Sequence, residues 1–205
     1  VLLPDGAGYV QHGWRRGGSR VHEEAGHHEG NLDALAYYRL IGDDVRANAV
    51  AAWLDRELLG HDLPLDLYTS RAMVEGSSAR DIMEIPDRDT RFRKTAVMNG
   101  KKITGVWHGP DPEVEENIWN DGVGHMACGF YAVEEQSRGN FYANQFDALL
   151  IDVDIAGKPA RTIPYTLRAA DGYEWVDVSR GFVSTAVWYL FAKHRFNPLT
   201  LQHLP

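Results

Sequence analysis

Two stretches of this 205-residue chain repeat one pattern when the sequence is shifted by 92 residues. In each stretch a polar residue and a glycine precede two amphipathic helical segments, and Glu29-Gly30 falls on Asp121-Gly122. A shift of 151 residues brings Arg180-Gly181 onto the same positions. Repeated helical hairpins bury their apolar faces against one another, so the pattern favours a repeat architecture. The alternative is that any two amphipathic hairpins can be slid into partial register.

The spacing of apolar residues predicts five helices. Gly42 suits the end of the first helix, and Asp43 is a good N-cap for the second. The predicted helices span residues 31–41, 43–59, 121–134, 140–150 and 181–194.

Two β-hairpins are predicted between the helices. Asn99-Gly100 lies between two β-prone runs in 94–107, which is a strong hairpin signal. Residues 151–166 alternate around Ala156-Gly157-Lys158. We therefore expect a mainly α fold in a single domain over 1–205. Its predicted parts are an irregular arm at 1–28, repeated helical hairpins at 29–60 and 121–152, a proline-rich loop and β-hairpin insertion at 61–117, and a last helix at 181–196.

Composition excludes several classes of protein. The formal net charge of −8 argues against nucleic acid as a partner, because phosphate contacts need clustered Lys and Arg. No stretch approaches the roughly 18 apolar residues of a membrane span. The histidine-rich run 22–29 lacks the His-Glu-x-x-His spacing, so no metal and no other cofactor is predicted. A single cysteine, Cys128, allows no internal disulfide.

Three segments in order resemble the six-hairpin (α/α)-toroid glycosidase-like proteins. Glu29-Gly30-Asn31-Leu32-Asp33-Ala34 is similar to their Glu-His-Asn-Leu-Asp-Ala segment, and residues 119–127 are similar to their Trp-x-Glu-Gly-Thr-Ala-Gln-Met-Ala segment. Residues 184–192, followed by Phe196-Asn197-Pro198, resemble their last helix and its terminal Asn-Pro. The chain departs from the family at Gly30, Asp121 and His125, where the family has His, Glu and Gln.

The resemblance implies a toroid of helical hairpins around a central sugar-binding cleft. A full toroid needs about twelve helices, whereas the sequence predicts five. The fold class expected here is therefore a partial (α/α) toroid with inserted β-hairpins. A partial ring leaves an apolar flank, so we expect either a homo-oligomer or a missing upstream half, and the start at Val1 without Met agrees with a processed form or a fragment.

Carboxylates at the helix starts are the candidate catalytic groups. Glu29 and Asp121 occupy equivalent repeat positions and are expected to flank a glycosidic bond as acid and base or nucleophile, with Asp33 as a third candidate. The alternative is that they cap the helices, since acidic residues complement free N–H groups there.

Aromatic residues and one histidine are the candidate glycan-binding groups. Aromatic rings stack on sugars but also fill cores, and the sequence leaves both roles open. The candidates are Trp119, His125, Trp188, Tyr38 and Trp175. The rival function is a non-catalytic structural or assembly protein that uses the same helical scaffold as an oligomer interface.

Overall fold

A computed structural model describes residues 8–10, 28–57, 62–98, 100–111, 114, 116–169, 173 and 175–204. Most of the predicted arm at 1–28, including its histidine run up to His27, lies outside these residues, as does Asn99. The chain divides into two compact units, Val1–Asp62 and Leu63–Pro205.

The first unit contains a helical hairpin. Helices α1 (His28–Leu40) and α2 (Asp44–Glu57) bury aliphatic residues on facing sides, among them Leu32 and Val50. Gly42 has a φ of 72°, which a residue without a Cβ adopts readily, and the backbone N–H of Arg46 donates to Asp43 Oδ1 at 3.1 Å. The predicted turn and N-cap are therefore confirmed.

The second unit holds five helices and three short antiparallel hairpins among its described residues. Their order is α3 (Leu65–Glu75), α4 (Arg80–Arg88), β1 (Arg93–Met98), β2 (Lys101–Val106), α5 (Asn120–Ala132), α6 (Gln136–Leu149), β3 (Ile151–Ile155), β4 (Lys158–Thr162), α7 (Val183–His194), β5 (Phe196–Asn197) and β6 (Gln202–His203).

Helix α5 forms the centre of the second unit. Every one of its 13 residues is buried, and it packs against α3, α6 and α7. Glycines permit this close packing, because a Cβ at Gly124 would lie only 2.6 Å from Trp188 Cβ, and one at Gly129 would lie 2.8 Å from Met83 Cε. A helix surrounded in this way is buried on all sides, so the polar residues of its first turns, Asn120, Asp121 and His125, lie inside the unit.

The structure confirms the mainly α fold with inserted β-hairpins. All five predicted helices are present, and the predicted hairpins correspond to β1–β2 and β3–β4. None of the helices in the described ranges is both long and apolar enough to cross a membrane.

The predicted loop and β-hairpin insertion at 61–117 missed two helices, α3 and α4. Prolines in this segment argue against long helices, but Pro64 immediately precedes α3, where the missing N–H has no helical partner to lose. Pro86 lies in the last turns of α4 and removes only one hydrogen bond of that helix. Position within the helix decides whether proline is tolerated, and that position depends on boundaries the sequence did not reveal.

Candidate functional site

Asp121 lies in the first turn of α5 and is 5 % exposed. Its Oδ2 accepts a hydrogen bond of 2.5 Å from Ser184 Oγ, and its Oδ1 accepts one from Thr185 Oγ1, both at the start of α7. Burial raises the pKa of Asp121 above its ordinary value, while the two hydroxyl donors act in the opposite direction. The carboxyl is therefore held in one orientation and retains its proton to a higher pH than an exposed aspartate.

His125 lies one helical turn after Asp121, between two indole rings. Its ring centroid is 3.7 Å from that of Trp188 and 5.3 Å from that of Trp119. Its Nδ1 is 3.1 Å from Thr69 Oγ1 on α3. Burial lowers the pKa of His125 to about 3, so the imidazole is neutral at neutral pH.

Backbone hydrogen bonds position Trp119 ahead of α5. Its N–H donates to the carbonyl of Val106 at 2.9 Å, and the next N–H, that of Asn120, donates to the carbonyl of Tyr165 at 2.9 Å. This pairing brings the start of α5 beside the segment around Tyr165. The buried indole Nε1 of Trp119 has no hydrogen-bond partner among the described residues.

Aromatic rings continue from Trp119 towards solvent. Tyr165 is 6.4 Å from Trp119 and 5.2 Å from Trp175, which is 59 % exposed. We call this set of rings the aromatic strip. It comprises Trp107, His108, Trp119, Tyr165, Tyr173, Trp175 and Phe182.

A groove of about 510 Å³ borders the strip at Phe182. The β3–β4 hairpin and the start of α7 line it, with apolar side chains such as Val153 and Val183 beside Arg180 and Asp154. The backbone N–H of Phe182 donates to the carbonyl of Ile163 at 3.0 Å, which holds the strip against this hairpin. A ligand stacked on the exposed rings would therefore have an open groove beside it.

The structure places five of the eight sequence-predicted site residues in the second unit. Asp121 and His125 share α5, the rings of Trp119 and Trp188 lie against His125 at tilted angles, and Tyr165 links Trp175 to this group. The other three candidates lie on α1 in the first unit, where Glu29 and Asp33 are exposed and Tyr38 is buried. Arg46 lies over the Tyr38 ring at 5.9 Å.

Several residues of this site were not predicted from the sequence. Ser184 and Thr185 hold Asp121, Thr69 contacts His125, and Tyr165 and Tyr173 extend the strip. Only the polar pair Ser184-Thr185, at the start of an apolar helix, was a usable local signal, because such residues there usually satisfy another polar group.

Other chemistries have less support within the described residues. No group of three or more His, Cys, Asp or Glu in that part of the chain is placed to hold a metal ion. Cys128 is buried and its Sγ lies 3.7 Å from the carbonyl oxygen of Phe196. Burial raises the pKa of this thiol to about 12, which is the opposite of what a nucleophilic cysteine needs.

Comparison with known proteins adds no family to these observations. No protein-family model, curated protein or solved structure matches the chain. Function is therefore inferred from the side chains of the site itself.

Proposed function

We propose that this protein binds and hydrolyses a glycan on a partial (α/α)-toroid scaffold of helical hairpins. The observation that carries the proposal is the arrangement around His125, where a neutral imidazole contacts two indoles one helical turn after a buried carboxyl, and further rings lead to the surface at Trp175. Sugar rings have apolar faces that stack on aromatic side chains and hydroxyls that need fixed polar partners. The site offers both kinds of contact.

Asp121 supplies the general acid in this proposal. Its raised pKa favours the protonated form, and donation of that proton to the glycosidic oxygen assists departure of the leaving group. Glu29 is the proposed base or nucleophile, with Asp33 as the third carboxyl.

His125 is the proposed positioning and binding residue beside the acid. Its Nδ1 faces Thr69, so Nε2 is the ring nitrogen left for a ligand hydroxyl. A neutral imidazole offers Nε2 as either donor or acceptor, according to the direction of the Thr69 hydrogen bond.

An exposed apolar stripe on α7 favours a second candidate function. Val183, Val187 and Leu190 recur at helical spacing and are 80 %, 37 % and 50 % exposed. Such a stripe is typical of a surface that another chain covers, which would be a second copy or an upstream half of a longer protein. In this alternative the scaffold serves assembly and has no hydrolytic activity.

Truncating the exposed end of the aromatic strip is expected to weaken glycan binding. Trp175→Ala should lower affinity by about five- to thirtyfold, because loss of an aromatic–sugar stack costs on the order of 1–2 kcal/mol. Isothermal titration against cello-, xylo-, manno-, chito- and galacturono-oligosaccharides would measure this. Phe141→Ala, which removes a 39 % exposed ring from α6, is the matched control and should leave affinity unchanged. Equal affinity in the wild type and Trp175→Ala would contradict the strip as the binding surface.

Removing the proposed proton donor is expected to abolish turnover while keeping the fold. Asp121→Asn retains an oxygen acceptor for Thr185 or Ser184 but has no titrating proton, so hydrolysis of a bound oligosaccharide should fall by at least about a hundredfold. Glu29→Gln should have a comparable effect, and reducing-sugar release together with circular dichroism checks both variants. Full activity in Asp121→Asn would assign this residue to helix capping and packing, and a folded wild type that binds but never hydrolyses would favour the non-catalytic alternative.

A further inference from the structure

We propose that the glycan recognised at the aromatic strip carries no anionic group, so that sugars with carboxylate or sulfate substituents are excluded. This inference rests on the proposed function and names its substrate class. It is drawn from the charges around the strip and from the partners that those charges already have.

The segments that build the strip are poor in cations. No Lys or Arg occurs between Trp107 and His125, whereas Asp111, Glu116 and Asp121 all lie there. Recognition of a carboxylate or sulfate normally uses Arg or Lys, with Arg giving paired hydrogen bonds. Residues 107–125, the first segment of the strip, therefore add negative charge and offer no cationic side chain to an anion.

The second segment, residues 165–182, contains two arginines, and both are ion-paired. Arg168 Nη1 is 3.0 Å from Glu116 Oε2, and Arg180 Nε is 2.9 Å from Asp177 Oδ2. An anionic sugar would have to compete with these carboxylates for the same guanidinium groups.

Lys94, on β1, is a further cation that contacts the first of these segments. Its side chain is buried, and Nζ donates to the carbonyl oxygen of Asp111 at 2.7 Å. Moving this ammonium to a ligand would leave that carbonyl without the bond, which opposes its use as an anion receptor.

The histidines of the site add no positive charge at neutral pH. Burial lowers the pKa of His108, although Asp111 acts in the opposite direction, and burial also lowers that of His125. The strip thus presents rings, hydroxyls and carboxylates, and the two arginines beside it are already ion-paired. A neutral sugar can stack and hydrogen-bond there, while an anionic sugar would lose its hydration and meet like charge.

Three matched oligosaccharide pairs test the inference. Tetrasaccharides from hyaluronan, polygalacturonate and alginate would each be compared with their carboxyl-reduced forms, which keep the backbone and lose the charge. The acidic and reduced tetrasaccharides, and the neutral cello-, xylo-, manno- and chito-oligosaccharides, would each be titrated into the wild type and Trp175→Ala. Each titration would be run at low and at high salt. We expect neutral members to bind at least about tenfold more tightly than their acidic parents, with a smaller gap at high salt because screening weakens the repulsion.

The outcomes separate the two proposals. One outcome is that acidic forms bind more tightly than neutral ones, most strongly at low salt, and lose this binding in Trp175→Ala. That result would overturn the exclusion of anionic sugars but would still support glycan binding at the aromatic strip. Binding by no oligosaccharide, neutral or acidic, would overturn the proposed function and the inference with it. Neutral binding that Trp175→Ala leaves unchanged would place the glycan elsewhere and refute the strip as its receptor.

Discussion

The free energy of unfolding is expected to fall steeply as the pH drops from about 6.5 towards 3, because His125 is buried in its neutral form. Its pKa is about 3 in the folded protein and has an ordinary value of 6.5. Between these two pH values the His125 imidazole binds a proton in the unfolded chain but not in the folded chain, so acid favours unfolding. The contribution is complete above pH 6.5 and shrinks by about 1.4 kcal/mol per pH unit, or roughly 4–5 kcal/mol across the window.

Urea unfolding at pH 7.5, 5.5 and 4.5, followed by tryptophan fluorescence, would measure this dependence. His125→Gln should flatten the slope by about one proton, since glutamine does not titrate. His203→Gln, which replaces an exposed histidine, is the control for removing a histidine outside the site. The burial argument fails if His125→Gln and the wild type lose stability in parallel.

Asp121 contributes to the same titration with the opposite sign. Its pKa is raised in the folded protein, so the folded state holds the carboxyl proton more tightly than the unfolded chain. Its stabilising contribution is present below the ordinary value of 3.8 and is lost as the pH rises through the raised pKa. In Asp121→Asn this opposing contribution is absent, so the free energy of unfolding should fall more steeply with decreasing pH in the range just above pH 3.8.

Replacing Gly124 with Ala is expected to destabilise the fold and disrupt the candidate site together. The new Cβ would lie 2.6 Å from Trp188 Cβ and 3.0 Å from the Trp188 carbonyl oxygen, so α5 and α7 must move apart. Alanine is the better helix former by about 1 kcal/mol, but overpacking typically costs about 1–3 kcal/mol, so a net loss of up to about 2 kcal/mol is expected. The stack of Trp188 on His125 should loosen as well, which predicts weaker glycan binding.

Gly109→Ala is the matched control for this substitution. A Cβ at Gly109 would meet no atom within 4 Å, so stability should stay within about 0.5 kcal/mol of the wild type. Chemical unfolding of the two variants gives the comparison directly. A Gly124→Ala variant at least as stable as the wild type would mean that helix propensity outweighs the contact with Trp188.

Local patterns were sufficient to predict the regular elements of this chain. The spacing of Leu32, Leu35 and Tyr38 predicted α1, and Gly42 with Asp43 predicted where it ends and α2 begins. Asn-Gly between β-prone runs predicted the β1–β2 turn, and Gly100 has the positive φ of 73° that such a turn requires. These predictions held because periodicity, capping and turn chemistry depend on residues a few positions apart.

Contacts between distant segments decided the rest. Asp121 is held by Ser184 and Thr185, more than sixty residues later in the chain. Thr69 contacts His125 from α3, a helix that was not predicted from the sequence because of the prolines around it. The aromatic strip joins rings from residues 107 to 182, although nothing in their spacing relates them. The sequence by itself determined which segments are helices or hairpins and which residue types are available for chemistry. Only the tertiary structure decided which side chains meet, because close packing around the glycines of α5 selects one arrangement among many that the same local patterns permit.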